Sequence, residues 1–228
     1  MSWSGTFHEK VGSVASYHDL TLTFASGAPT SGLTSVLLDG VEQLSGTVTV
    51  SPVAADFVGF RLYGSSDLVA GIMVDNSDKY MGLLMANDYG GNSYFNLGIL
   101  QIEASGRASS YAATDIYPTA WSGYSTYVDS HFYSSFVSES SISFDGSGSV
   151  AAENWVALTD FGFSAPVTSV SEASSGAYGV YTAAFQMVGG SSISVRMLLS
   201  PDKNAIAGAG CSDVTDFTTC RFHLWLRQ

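Results

Sequence analysis

Four histidines, His8, His18, His131 and His223, are the side chains of this sequence best suited to acid–base chemistry near neutral pH. Asp129 and His131 stand two apart, so on a strand they share a face, where a carboxylate can orient an imidazole. Tyr17, His18 and Asp19 form a second cluster of this kind. If the chain is an enzyme, His131, Asp129, His18 and Tyr17 are its candidate catalytic residues. Polar positions at strand ends account for the same residues with no catalysis, and that simpler reading is the expectation.

Other chemistries find less support. The only candidate for a serine elbow, Asp145-Gly-Ser147-Gly, lies in what reads as a tight hairpin turn and lacks the strand-to-helix context that exposes a nucleophile. Glycine-rich phosphate cradles fail because no helix N-terminus follows them, and no cofactor is expected. The turn Asp75-Asn-Ser-Asp78 and the loop Asp213 to Asp216 bring carboxylates together as calcium requires. Neither matches the twelve-residue calcium loop, and solvated turns explain both, so no metal is expected.

Cys211 and Cys220 stand at facing ends of two predicted strands, a placement that lets their Cβ atoms meet across a hairpin. A disulfide is expected. A metal site would need histidines or further cysteines at ligand spacing, and only His223 is near. Aromatic side chains crowd the region from Tyr111 to Phe136, and tyrosine's polar tip suits either a binding cleft or a packed interface. Tyr117, Trp121, Tyr124, Tyr127 and Tyr133 are the candidate ligand contacts.

The elements that must position these groups are strands. Leu20, Leu22 and Phe24 alternate with threonines, and Val48 with Val50, and Val58, Phe60 and Leu62, repeat the pattern. Ile193, Val195, Met197 and Leu199 do so later, as do Phe222, Leu224 and Leu226 against Arg221, His223, Trp225 and Arg227. A period of two is what burying one face of a strand imposes. Gly, Asn, Asp, Ser and Pro punctuate these runs at short intervals, which indicates antiparallel hairpins.

Composition agrees. Charged residues are 12% of the 228 while hydrophobic residues reach 46%, so the polarity comes from Ser, Thr, Gly, Asn and Tyr, which suit strands better than helices. Twenty acids against eight scattered bases give a net charge of −12, which argues against nucleic acid and anionic membrane surfaces. No apolar run has the length of a spanning helix, so a membrane-spanning protein is not expected. Few lysines, abundant Ser and Gly, and the paired cysteines suggest an extracytoplasmic protein, periplasmic, cell-surface or secreted, whose leader is absent from this sequence.

Two stretches also read alike. Gly71 to Lys79, Tyr80 to Asp88 and Tyr94 to Gln101 follow one another as Arg196 to Lys203, Asn204 to Cys211 and Cys220 to Arg227 do later. Upstream, Val36 to Gly40 and Ser45 to Val50 match Ile142 to Gly146 and Ser147 to Ala152. The longer spacing in the second half implies an insertion at Gly162 to Ser175. The expected fold is therefore a single all-β domain over 1–228, an antiparallel closed barrel or sandwich of about ten strands. It is made from duplicated halves at about 1–103 and 127–228 with a connection at 104–126.

Three functions fit. The first is an extracytoplasmic binding or adhesion module without catalytic activity, contacting a carbohydrate, a protein partner or copies of itself. The second is a lipocalin-like barrel enclosing a small apolar molecule, although the Gly-x-Trp of that family is absent and Ser2-Trp3-Ser4-Gly5 replaces it poorly. The third is a barrel enzyme of cyclase or isomerase type.

Overall fold

The computed structural model describes the chain except residues 12–13, 27–31, 44–50, 55–56, 62–68, 76–78, 90–91, 118, 129–136, 145–149, 156–166, 173–177, 187–191 and 214–215. Among the described residues seventeen strands are defined, in two antiparallel sheets. The first sheet comprises β1 (Ser2–Val11), β2 (Val14–Phe24), β3 (Leu33–Leu38), β4 (Val41–Glu42), β5 (Ser51–Ala54), β6 (Phe57–Arg61), β7 (Val69–Val74), β8 (Tyr80–Tyr89) and β9 (Asn92–Ile102), ordered β4-β3-β2-β1-β9-β8-β7-β6-β5. The second comprises β10 (Thr119–Val128), β11 (Val137–Phe144), β12 (Val150–Trp155), β13 (Val167–Glu172), β14 (Val180–Gln186), β15 (Ser192–Leu199), β16 (Ala205–Asp213) and β17 (Asp216–Arg227), ordered β12-β11-β10-β17-β16-β15-β14-β13.

The all-β, antiparallel expectation holds, while closure and strand number do not. Among the described residues no ladder joins β4 to β5 or β12 to β13, so no closed barrel is seen among them, and the strands exceed the ten expected. A two-layer sandwich is also too simple. One buried cluster draws only on the first sheet, with Trp3, Phe7, Leu22, Phe24, Met81 and Leu83, and another draws on the second sheet and the connection, with Trp121, Ile142, Met197 and Trp225. A sheet that buries its own residues against one another must curve around them. Between the two curved sheets lies a third cluster, where Leu84, Phe95, Leu97 and Ile99 meet Leu198, Ala207, Phe222 and Leu224.

This three-core arrangement explains the central strands. β8, β9, β16 and β17 bury side chains on both faces, so Met81 and Leu83 face the first core while Tyr80 and Leu84 face the other sheet. The expectation that Arg221, His223 and Trp225 point outward fails for the same reason: all three are buried. Burying a large apolar side chain such as Trp225 contributes on the order of 2 kcal/mol. The sheets come close because Gly82 faces Phe222, whose ring would overlap any Cβ there.

Apart from β4, which has no counterpart among the described residues, the two sheets share one connectivity, and the agreement extends to single bonds. Gly5 lies opposite Leu100 and Gly123 opposite Trp225, each so close to the neighbouring strand that a Cβ would collide with a backbone carbonyl, of Ile99 and of Leu224. Trp3 and Trp121, each two residues before its glycine, are both buried. Between β7 and β8 the Asp75 Oδ1 accepts from the amides of Lys79 and Tyr80 at 2.8 and 2.5 Å. Between β15 and β16 the Ser200 Oγ accepts from Asn204 and Ala205 at 3.1 and 2.9 Å.

Two details of the sequence alignment shift accordingly. Asp75 answers to Ser200, which moves the Asp-Lys match by one residue, and Ile142 answers to Leu22, its partner across the tryptophan, rather than to a residue of β3. Asp39-Gly40 is a hairpin turn, with φ of 50° and 78°, between β3 and β4. Such turns recur at any tight hairpin and so do not mark equivalent ones. With the upstream match corrected, Val167–Glu172 becomes the strand answering to β5 rather than part of an insertion. The connection is shorter than 104–126, since β10 already begins at Thr119.

Candidate functional site

Where β10, β11 and β17 run side by side, their outward face carries a groove of about 410 Å³. The register fixes what lines it. Tyr124 lies opposite both Glu139 and Leu224, and Ser122 opposite both Ser141 and Leu226, and residues directly opposite in antiparallel strands share a face. Gln228 closes one end, held by its amide donating to the Ala120 carbonyl at 3.0 Å. Beneath the floor the inward Ser140 Oγ accepts from Trp225 Nε1 at 2.7 Å. Tyr124 and Leu226 also pack at the rim of the inter-sheet cluster, so the groove runs on from that interface. Hydroxyls, one carboxylate, one phenol and one aliphatic side chain give it the character of a surface that hydrogen-bonds and stacks.

Of the five aromatic residues predicted as ligand contacts, the structure brings Tyr124 to this groove. Trp121 is instead fully buried, donating from Nε1 to the Ile116 carbonyl at 3.2 Å, with Arg227 over its ring at 5.0 Å. The cause is its position, two residues before Gly123 on the inward face. Tyr117 is half-buried against the same core, so it too serves packing. The side chain of Tyr127 and all of Tyr133 lie outside the described residues, as do Asp129 and His131. Glu139, Ser141 and Leu226 went unnoticed in the sequence, because only the register of three strands makes them neighbours.

The counterpart of this face in the first sheet is covered. Thr6 lies opposite Asp19 there, as Tyr124 lies opposite Glu139, and Ser4 opposite Thr21, as Ser122 opposite Ser141. The connection after β9 crosses over it, and Arg107 Nη1 bonds Asp19 Oδ1 at 2.9 Å while its guanidinium lies 4.2 Å from the centre of the Tyr178 ring. Tyr178 stacks on Tyr17 at 5.0 Å, and Tyr17 tilts against His8 at 4.9 Å. Arg196 Nη1 stands 2.8 Å from His8 Nδ1 and above Phe95. A guanidinium can only donate, so His8 accepts at Nδ1 and is neutral. Burial lowers Arg196 to about 10. Tyr17 is thereby part of a packed aromatic and cationic stack between the sheets.

His18 faces the other way. Strand alternation puts it opposite Phe7, on the first sheet's own core side, and separates it from Tyr17 and Asp19. Its Nδ1 is 2.7 Å from Asp39 Oδ2, its Nε2 is 3.6 Å from Glu9 Oε2, and Asp39 Oδ1 accepts from the Asp19 amide at 2.8 Å. The hydrogen bond from His18 holds the Asp39 carboxyl below its ordinary value. Asp39 thus supplies the carboxylate partner, from a turn whose Asp-Gly pair signalled only a hairpin. The dyad orients an imidazole and, equally, ties the β3–β4 hairpin to β2.

Cys211 and Cys220 face each other in the β16–β17 ladder. Asp75, from the turn considered for calcium, spends a carboxylate oxygen on two amides, and among the described residues no three His, Cys, Asp or Glu side chains are grouped to hold a metal ion. No helix among them is long and apolar enough to cross a membrane.

No family model matches this chain, and no curated protein does. A solved structure, of a protein of unknown function from the DUF3598 family of Nostoc punctiforme, is similar at 12% identity and a TM-score of 0.38, over 100% of this chain and 95% of that one.

Proposed function

We propose that this protein is a binding module, acting outside the cytoplasm, whose partner lies in the outward groove of β10, β11 and β17. The observation that carries this reading is the contrast between two equivalent faces. Ser4 and Thr6 are buried and Asp19 is half-exposed in its ion pair with the connection, whereas Ser122 and Tyr124 are half-exposed and Glu139 is exposed. The matching connectivity is the mark of a duplicated half, and one copy's outward face has become internal packing while the other's stays accessible. Against an enclosed apolar ligand stand the side chains filling the curved sheets among the described residues: Trp3, Leu22 and Phe24 in one, Trp121, Met197 and Trp225 in the other. The facing cysteines, proposed here as a disulfide, suit an oxidising compartment.

The test is to probe the full chain and its Tyr124→Ala variant against glycan and peptide arrays. Binding by the parent that falls at least about tenfold in the variant, at unchanged thermal stability, is the expected result. Hits that the variant retains in full would place the contact surface elsewhere.

A further inference from the structure

We infer that the groove receives an arginine side chain presented by a partner polypeptide. This rests on the groove being a binding surface and adds what it binds.

The other half holds part of such a complex, a guanidinium on the equivalent carboxylate, with the ring supplied by Tyr178 rather than by the cross-strand partner, which there is Thr6. Asp19 and Glu139 occupy equivalent positions, each opposite the residue that follows the close-packed glycine of its sheet. Asp19 takes the guanidinium of Arg107, which at the same time lies over an aromatic ring. Among the described residues Glu139 makes no ion pair, and its cross-strand partner Tyr124 supplies a ring directly beside the carboxylate. A carboxylate adjoining a ring face is met by one planar group that can pair in its plane and stack on its face, and arginine does both where lysine's ammonium is a point charge. The hydroxyls of Ser122 and Ser141 flank this pair and can bond a peptide backbone. A net charge of −12 favours a cationic partner over long range.

Competing occupants fit less well. An anionic ligand would meet Glu139 on an acidic chain. A neutral sugar would use the ring and hydroxyls but leave the carboxylate without a cation, and it remains an outcome of the test.

The probe is a fluorescent peptide of residues 103–112, the segment that carries Arg107 across the first sheet, in two forms: arginine, and its neutral isostere citrulline. Titrated against the intact chain, the arginine form is expected to bind weakly, and the citrulline form about fivefold or more weaker, as loss of one partly exposed charge pair implies. Glu139→Gln, a change at an exposed side chain, should lower the arginine form to the citrulline level and leave the citrulline form unchanged. Equal binding of the two peptides, or indifference of the arginine form to Glu139→Gln, overturns the inference. If neither peptide binds while array glycans still depend on Tyr124, the groove stands as a binding site and the arginine assignment alone falls. If nothing depends on Tyr124, both fall.

Discussion

Asp202 shows how a single side chain can join the two halves. Lying in the turn between β15 and β16, it accepts from Lys79 Nζ at 2.9 Å, from Tyr80 Oη at 2.7 Å and from Ser200 Oγ at 2.8 Å, while its own amide donates to Gln101 Oε1 at 3.2 Å. Burial alone would raise its carboxyl, but hydrogen bonds from Tyr80, Lys79, Ser200 and Asn204 outweigh that and hold it down to about 2. A carboxyl lowered by folding stabilises fully above its unfolded value, and that contribution fades as pH falls through the folded one. Asp202→Asn should therefore cost about 2 kcal/mol at neutral pH, and the gap between parent and variant should narrow steadily below about pH 4. Urea unfolding across that range checks it; a gap that stays constant to about pH 2 would contradict the assignment.

At the scale of elements, backbone contact distance rather than conformation decides the role of two glycines. Gly5→Ala and Gly123→Ala should each destabilise by about 3 kcal/mol, because the obstacle is a carbonyl of the adjacent strand that cannot move without breaking its ladder. Gly40→Ala, with open space around it but a φ of 78°, should cost only about 1 kcal/mol. Thermal melts of the three variants test the ranking. The β16–β17 hairpin carries a separate expectation: linking Cys211 to Cys220 should stabilise by about 2.5 kcal/mol. Intact mass before and after alkylation reports the bond, and equal stability in reductant would remove its importance. These elements were partly legible in the sequence. Leu20, Leu22 and Phe24 alternate because one face of β2 is buried, whereas β17 also packs its second face on another sheet, which no local period reveals. The Trp-Ser-Gly at Trp3 and again at Trp121 is a sharper sign of repetition than Asp-Gly, a pair that many unrelated tight turns use.

Across the whole molecule, the site was less legible than the fold. The sequence singled out aromatic residues by density, yet inward or outward position along β10 separates buried Trp121 from groove-lining Tyr124, and only assembled strands bring Glu139 and Leu226 beside it. Likewise His18 found its carboxylate at Asp39, one hairpin away, rather than beside it in sequence. The central claim is that one outward face is kept open for a partner while its twin is partly covered by the connection. Amide shifts of the isotope-labelled chain, recorded with the strongest array ligand, test this most directly. The account predicts movement centred on Ser122, Tyr124, Glu139, Ser141 and Leu226 with Thr6 and Asp19 still. Shifts centred on interior residues such as Leu83 or Met197 would contradict it.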